Sequence, residues 1–323
     1  MDVFDKSILF SLAKSCRISF SQLASDLNLP ANEVGTRIQR LVNDHTILKF
    51  TVALNPYLLR LHNVIIIFRS LTPLELNRLT LLGIHSAIEH ISIGTAHEGF
   101  AYARYSNKEE FLELAEHFQQ FHRSFEELHL YPVVPLVNSG ISPPTQDIVS
   151  LEKEDWLILA HLREQGRLSL QELSKRIEID VEVINERLDY LRHFNLIHET
   201  IQINPVKSLK ETLTMFQCEF TILNHLIQQE IMQEIDTLAH FWPISSFRSA
   251  DKPVLFLSFY CSSYTEVEKI QAHLTELPGV KSIIKIMGGT TYYFTDIRDE
   301  LIEEKRSHGW FSPERWVTDS TGN

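Results

Sequence analysis

One stretch of this 323-residue chain occurs twice. Residues 17–47 (RISFSQLASDLNLPANEVGTRIQRLVNDHTI) return in altered form as residues 167–197. At that offset Asp5, Ile8, Leu9, Leu12, Arg17, Ser19, Leu23, Arg37, Leu41 and Ile47 reappear as Asp155, Ile158, Leu159, Leu162, Arg167, Ser169, Leu173, Arg187, Leu191 and Ile197. Most of these positions are apolar and three to four apart, the spacing of a buried helix face. A chain built on such a repeat folds as two related units. Its length also exceeds what one core usually holds.

Each copy reads as three helices. Asp5-Lys6-Ser7-Ile8-Leu9 opens an amphipathic helix, answered by Asp155-Trp156-Leu157-Ile158-Leu159. Ser19 and Ser169 stand where an N-cap belongs. A tight turn follows, Asn28-Leu29-Pro30 or Glu178-Ile179-Asp180, and proline suits a helix start because it has no N–H to leave unpaired. The next helix places Val34, Ile38 and Leu41, or Ile184, Leu188 and Leu191, on one face. An alternating strand ending in Asn-Pro closes each copy (ILKFTVALNP, LIHETIQINP) and is expected to form the wing of a winged helix.

Beyond each wing the pattern is β-α-β-β-α-β. In the first half the strands are expected at 64–68, 88–93, 100–105 and 129–134, and the helices at 73–82 and 109–121. In the second the strands fall at 213–220, 244–247, 254–260 and 280–286, and the helices at 227–238 and 265–277. Helices on one face of such a sheet leave the other to be buried by a partner sheet. The fold class is therefore α+β. The expected domains are 1–56 and 151–205 (winged helix-turn-helix), and 57–136 and 206–295 (sheet domains). A linker at 137–150 carries Gly140, Pro143 and Pro144. An acidic helix and tail fill 296–323, and Trp310, Phe311 and Trp316 are expected to dock on the body.

The net charge of −12 is unusual for a nucleic-acid binder, but it is unevenly spread. Residues 1–56 hold six basic and five acidic side chains, whereas 151–205 hold seven and eleven. Any anionic polymer should therefore meet the first unit. Three separated cysteines without a CxxC argue for a reducing cytoplasm. The acidic N-terminus is unlike a signal peptide, and the apolar block Val64–Phe68 is far short of a membrane span, so no membrane is expected. Fifteen histidines, among them His85, His90, His97, His117 and His122, show no HExxH pattern. No GxSxG, P-loop or GxGxxG is present, and Gly288-Gly289 reads as a turn. No catalytic residue, metal or cofactor is expected.

The motifs Asp5-Lys6-x-Ile8-Leu9, Arg17-Ile18-Ser19-Phe20-x-x-Leu23-Ala24 and Val34-x-x-Arg37-Ile38-x-x-Leu41, with Ile47, resemble the DNA-binding domain of the Lrp/AsnC family. Leu277-Pro278-Gly279-Val280 is similar to the turn before the last strand of that family's effector domain. The resemblance covers nearly the whole chain, twice over. It implies ferredoxin-like sheet domains, a tandem duplication and a transcriptional regulator that is not an enzyme. The partners it implies are double-stranded DNA and an amino-acid-like effector. The two halves would pair as an internal pseudo-dimer, with further homo-oligomers.

For DNA, the recognition helix would present Asn32, Thr36, Arg37, Gln39 and Arg40, with Ser21 and Gln22 on the preceding helix and Lys49 in the wing. Asn and Gln pair with adenine and Arg with guanine, while Ser and Lys meet phosphates. Arg37 recurs as Arg187, which suggests a structural role for it. The second copy offers Glu182, Glu186, Asp189 and Tyr190 instead and is not expected to read DNA. For the effector, the resemblance points to the turn with Gly94, Thr95, His97 and Glu98 and to its counterpart with Arg248 and Asp251. Glu98 or Asp251 would hold an amine and Arg248 a carboxylate, although both turns depart from the family pattern. Two alternatives remain. One is a fused siroheme decarboxylase of the same architecture, with His97-Glu98-Gly99-Phe100 as a faint echo; the other is an interaction module that has lost DNA binding.

Overall fold

A computed structural model describes residues 2–94, 97–136, 144–145, 151–203, 212–224, 227–231, 233, 243–261, 263–288, 290–295 and 297–308. Helix α1 (Val3–Lys14) starts on a capping box in which Asp2 and Asp5 each accept the other's backbone N–H. In α2 (Phe20–Leu27) the Ser19 hydroxyl oxygen accepts from the N–H of Gln22, and Asn28 ends the helix in the left-handed region at φ 54°. Helix α3 (Ala31–Asn43) follows Pro30 directly. Ile8, Leu9, Leu12, Leu23, Val34, Ile38 and Leu41 are buried together, so the apolar spacing read from the sequence is the packed face.

Strand β1 (Ile47–Leu54) leads through a 3-10 turn (Pro56–Leu59) to β2 (His62–Ser70). Then come α4 (Leu76–Gly83), β3 (Ile88–Ile93), β4 (Glu98–Tyr105), α5 (Lys108–Gln119) and β5 (Phe125–Pro135). The second set begins with α6 (Lys153–Glu164), α7 (Leu170–Ile177), α8 (Val181–His193), β6 (Ile197–Ile203) and β7 (Thr212–Phe220). Residues 227–231 are helical. The set ends with β8 (Pro243–Ser249), β9 (Val254–Cys261), α9 (Tyr264–Thr275), β10 (Val280–Gly288), β11 (Thr290–Tyr293) and α10 (Ile297–His308).

The strand expected to be a wing is not half of a local hairpin. β1 pairs antiparallel with β6, from Ile47 opposite Ile203 to Leu54 opposite Ile197. Around this ladder the contacts are reciprocal. Gly166 N–H donates to Phe50 O (2.8 Å) and Cys16 N–H to Glu199 O (3.3 Å). Arg17 donates to the carbonyls of Gly166 (2.7 Å) and Leu168 (3.0 Å), and Arg167 to those of Cys16 (2.8 Å) and Ile18 (3.1 Å). Two three-helix heads are thus locked back to back about a local two-fold. A Cβ on Gly166 would lie 2.6 Å from the Thr51 nitrogen, so glycine permits this approach.

The remaining strands form one sheet, in the order β10-β7-β9-β8-β5-β2-β4-β3-β11. The halves join where β5 meets β8 (Val133 opposite Ser249) and again where β11 meets β3 (Thr290 opposite Ile93). The turn expected at Gly288-Gly289 lies partly outside the described residues; Gly288 ends β10, and four residues from Thr290 add, as β11, to the first half's edge strand. Inner faces of both halves, including Ile65, Phe100, Tyr131, Met215, Phe256 and Ile286, share a core with the two heads. The outer faces are covered separately, by Leu79, Leu82, Leu114 and Phe118 on one half and Val267, Ile270 and Leu274 on the other. Of the expected linker only 144–145 are described, where Thr145 N–H donates to Phe194 O (3.2 Å). Thr95, most of the expected helix 227–238, and the tail with Trp310, Phe311 and Trp316 lie outside the described residues.

Candidate nucleic-acid interface

The first head turns one face of α3 to solvent. Asn32, Thr36, Gln39 and Arg40 are exposed on it, with Ser21 and Gln22 exposed on α2. Gly35, Thr36, Gln39, Arg40, Asn43 and Asp44 line a shallow concavity. The Thr36 hydroxyl donates back to Asn32 O (2.9 Å), Gln39 donates to Asn43 Oδ1 (2.9 Å) and Gln22 to Asp26 Oδ1 (2.7 Å). These amides are oriented along the helix and lie at its surface, so each can exchange its partner for a base edge.

Behind that face sits a carboxylate hub. Asp5, 1% exposed, accepts from Arg37 Nη1 (2.9 Å) on one oxygen and from Arg40 Nη2 (2.6 Å) on the other. Arg37 also donates to Asp2 (2.7 Å) and Glu33 (2.9 Å). Hydrogen bonds to Asp2, Glu33 and Asp5 push the Arg37 guanidinium further up from its already high value. Partial burial works to raise the Asp2 carboxyl, but the Asp5 N–H and the Arg37 guanidinium outweigh it and hold it below the usual range. Arg37 is therefore committed inside the head, while Arg40, half exposed, keeps one side free to face outward. Lys49 lies on β1 and pairs with Glu164 of α6 (3.0 Å).

The second head repeats the hub without the outward cation. Asp155, fully buried, accepts from Arg187 Nε (2.9 Å) and Nη2 (2.6 Å), and Arg187 Nη1 reaches Glu152 (3.1 Å). Tyr190 occupies the place of Arg40, its ring 4.6 Å from the Arg187 guanidinium. Glu182, Glu186 and Asp189 are exposed on α8.

The two turns expected to hold an effector lie apart. Glu98 pairs with Arg69 (2.7 Å) at one end of β2, and Gly94 N–H donates to Glu98 O (2.7 Å) across a turn in which His97 takes φ 64°. Gly94 packs so tightly that a Cβ would fall 2.0 Å from Met287 O. Asp251 accepts from the Ser249 hydroxyl (2.7 Å), and Arg248 lies opposite Val134, near the Asn63 end of β2. Six residues of strand, about 20 Å, separate the two places.

One cluster escaped the sequence reading. Glu89 on β3 accepts from Arg104 on β4 and from Arg298 on α10 (3.0 Å). Arg104 lies 4.9 Å from the ring of Tyr102, whose hydroxyl donates to Asn63 (2.5 Å). His90 stacks on Tyr102, and Tyr293 donates to Ile203 O (3.0 Å). Burial, then Arg298 and Arg104, push His198 on β6 down to about 4. The available signal was a charge inside an apolar strand, at Glu89 in IEHISI and Arg104 in FAYARY. Among the described residues no group of His, Cys, Asp and Glu could hold a metal, and no helix is long and apolar enough to cross a membrane.

Residues 1–42 match the AsnC-type helix-turn-helix domain. Over 57 residues the chain is 35% identical to a helix-turn-helix-type transcriptional regulator of Pyrococcus horikoshii and 33% identical to one of Pyrococcus abyssi. Each match takes in 18% of this chain and 36% of the regulator, so the chain spans about a third of these relatives. The AsnC-type domain coincides with α1 to α3, the head whose α3 face is neutral to basic. A likeness at full length lies elsewhere. The siroheme decarboxylase NirDL aligns over 95% of this chain and 99% of its own, with a TM-score of 0.53 and 14% identity. The expectation that the chain is no enzyme does not survive this, because an enzyme has the same fold from end to end. At that identity the likeness is one of fold.

Proposed function

We propose that the protein is a DNA-binding transcriptional regulator of the Lrp/AsnC type, with α3 as its major-groove helix. The observation that carries this is the exposed set Asn32, Thr36, Gln39 and Arg40 on α3 of an AsnC-type domain. Asn32 and Gln39 offer bidentate pairing to adenine, and Arg40 offers guanine O6 and N7 or a phosphate. Ser21 and Gln22 position the backbone. Arg37 and Lys49 serve the protein's own ion pairs. The chain is read as a tandem duplication with two ferredoxin-like halves, an internal pseudo-dimer held by the β1–β6 and β5–β8 ladders. It works in the cytoplasm, where its DNA lies. An amino-acid-like effector is held at one turn, by Gly94, His97 and Glu98 or by Arg248 and Asp251, and not at a site shared by both.

The test is a gel shift of genomic fragments with rising salt. A subset of fragments is retained, and affinity falls steeply as salt rises because phosphate contacts release counterions. Uniform failure to bind any fragment at 50 mM salt rules the reading out.

A second reading rests on the full-length likeness to NirDL together with the cluster of Arg104, Arg298, His90 and His198 between sheet and heads. The Arg104 and Arg298 guanidiniums, which share Glu89 here, would exchange it for the carboxylates of a tetrapyrrole such as siroheme, beside the neutral imidazoles of His90 and His198. Titration with siroheme, followed by its visible absorption band, separates the readings. A saturable spectral shift that Arg104→Ala removes establishes tetrapyrrole binding, and an unchanged spectrum dismisses it.

A further inference from the structure

We propose that one chain reads one half-site, so that its operator is a single non-palindromic element. The inference rests on the DNA-reading role of α3 and concerns what the second head does to that role. A two-headed reader normally meets two half-sites related by the two-fold of the protein. Here the local two-fold is built into the chain. The antiparallel β1–β6 ladder and the reciprocal bonds of Arg17 and Arg167 tie the second head, and α8 with it, to the first. Neither head can turn independently of the other.

The face that α8 presents cannot follow a duplex. Glu182, Glu186 and Asp189 occupy the positions of Asn32, Thr36 and Gln39. Three carboxylates in a groove flanked by phosphates are each repelled, and each lacks the donors that adenine or guanine would meet. The nearby cations are already engaged. Arg187 holds Asp155 and Glu152, and Arg192 holds Glu199 (2.8 Å) and Asp189 (3.2 Å). Tyr190 is folded against Arg187 and Phe194, with ring centroids of 4.9 Å to the latter. Lys175 and Arg176 are exposed at the end of α7 beside Glu172 and Glu178, which balance them in sign. The duplex therefore engages the first head and leaves the second without a groove contact.

The experiment is in vitro selection from a random duplex library with the full chain, followed by hydroxyl-radical footprinting of complexes containing one chain per duplex. The expected motif is asymmetric, with protection confined to about one helical turn, roughly 10 bp. An inverted repeat of the selected element gains no more than the twofold statistical advantage over a single copy. The triple variant Glu182→Asn, Glu186→Thr, Asp189→Gln changes only exposed positions of α8 and leaves Tyr190 packed against Arg187 and Phe194. It should protect both arms of the inverted repeat and prefer it over the single element by about tenfold, the worth of one good base contact. Equal protection of two arms by one wild-type chain overturns the single-half-site proposal while leaving DNA reading intact. Recovery of no motif overturns DNA reading itself, and this proposal with it.

Discussion

In the first head Asp5 ties together Arg37 and Arg40; in the second Asp155 ties Arg187 alone, because Tyr190 stands where Arg40 would. The inner residues of the heads are the ones that recur. Asp5, Arg17, Arg37 and Leu41 have identical counterparts, and each is seen holding a helix end, the other head or the core. The residues that differ, Asn32 against Glu182 or Gln39 against Asp189, face solvent. Comparing two heads within one chain thus separates what folds them from what they present.

The sharpest break should come from the hubs. Removing the buried carboxylate takes two charge-assisted hydrogen bonds from each hub, although Arg37 keeps Asp2 and Glu33 and Arg187 keeps Glu152, and such losses run at about 2 kcal/mol. Asp5→Ala and Asp155→Ala should each lower the urea-unfolding free energy by about that much, because each buries one carboxylate against arginine. A large loss in one and none in the other would show that the hubs are not equivalent.

The outer faces should differ instead in DNA affinity. Gln39→Ala with Arg40→Ala should weaken binding by about 10- to 100-fold, one or two base contacts, as read by fluorescence anisotropy. Tyr190→Ala should leave affinity unchanged. A matching loss from Tyr190→Ala would restore symmetry between the heads.

A pH-dependent effect tests the seam between them. His198 is held neutral down to about 4, against an ordinary 6.5, so the folded state binds fewer protons than the unfolded chain. Its contribution is present above pH 6.5 and is lost as pH falls toward 4, costing about 2 kcal/mol between pH 7 and pH 5. His198→Gln should flatten that part of the stability profile in urea titrations. Smallest of all, Lys49→Ala removes a partly exposed ion pair with Glu164 and should cost about 0.5 kcal/mol. The slope of log affinity against log salt should stay the same, whereas a lost phosphate contact would lower it by about 0.9.

The helices of both heads were legible because their apolar residues recur at helical spacing, and each head closes mostly on its own sequence. Strand 254–260 was legible from a nearly continuous apolar run, and 88–93 from isoleucines interleaved with polar residues. The pairing of β1 with β6 was not, since alternation marks a strand without naming a partner 150 residues away. β11 is four residues long and follows a glycine, which reads locally as a turn. At the candidate interface the recurrence of Arg37 already hinted at a structural role, and its ion pairs with Asp5, Asp2 and Glu33 supply the reason. The Glu89–Arg298 pair joins residues 209 apart, beyond any local pattern.

The ladder between β1 and β6 also has a consequence in time. A ribosome adds about 5–20 residues per second, so Ile47–Leu54 emerges roughly 8–30 s before Ile197–Ile203 exists to pair with it. Through that interval the first strand is an open edge carrying Leu48 and Phe50, the kind of edge that invites a neighbouring nascent chain. Lys49 sits between them. A charged side chain in mid-strand is a common guard against such pairing, and Lys49 holds that place until Ile197–Ile203 arrive to close the edge.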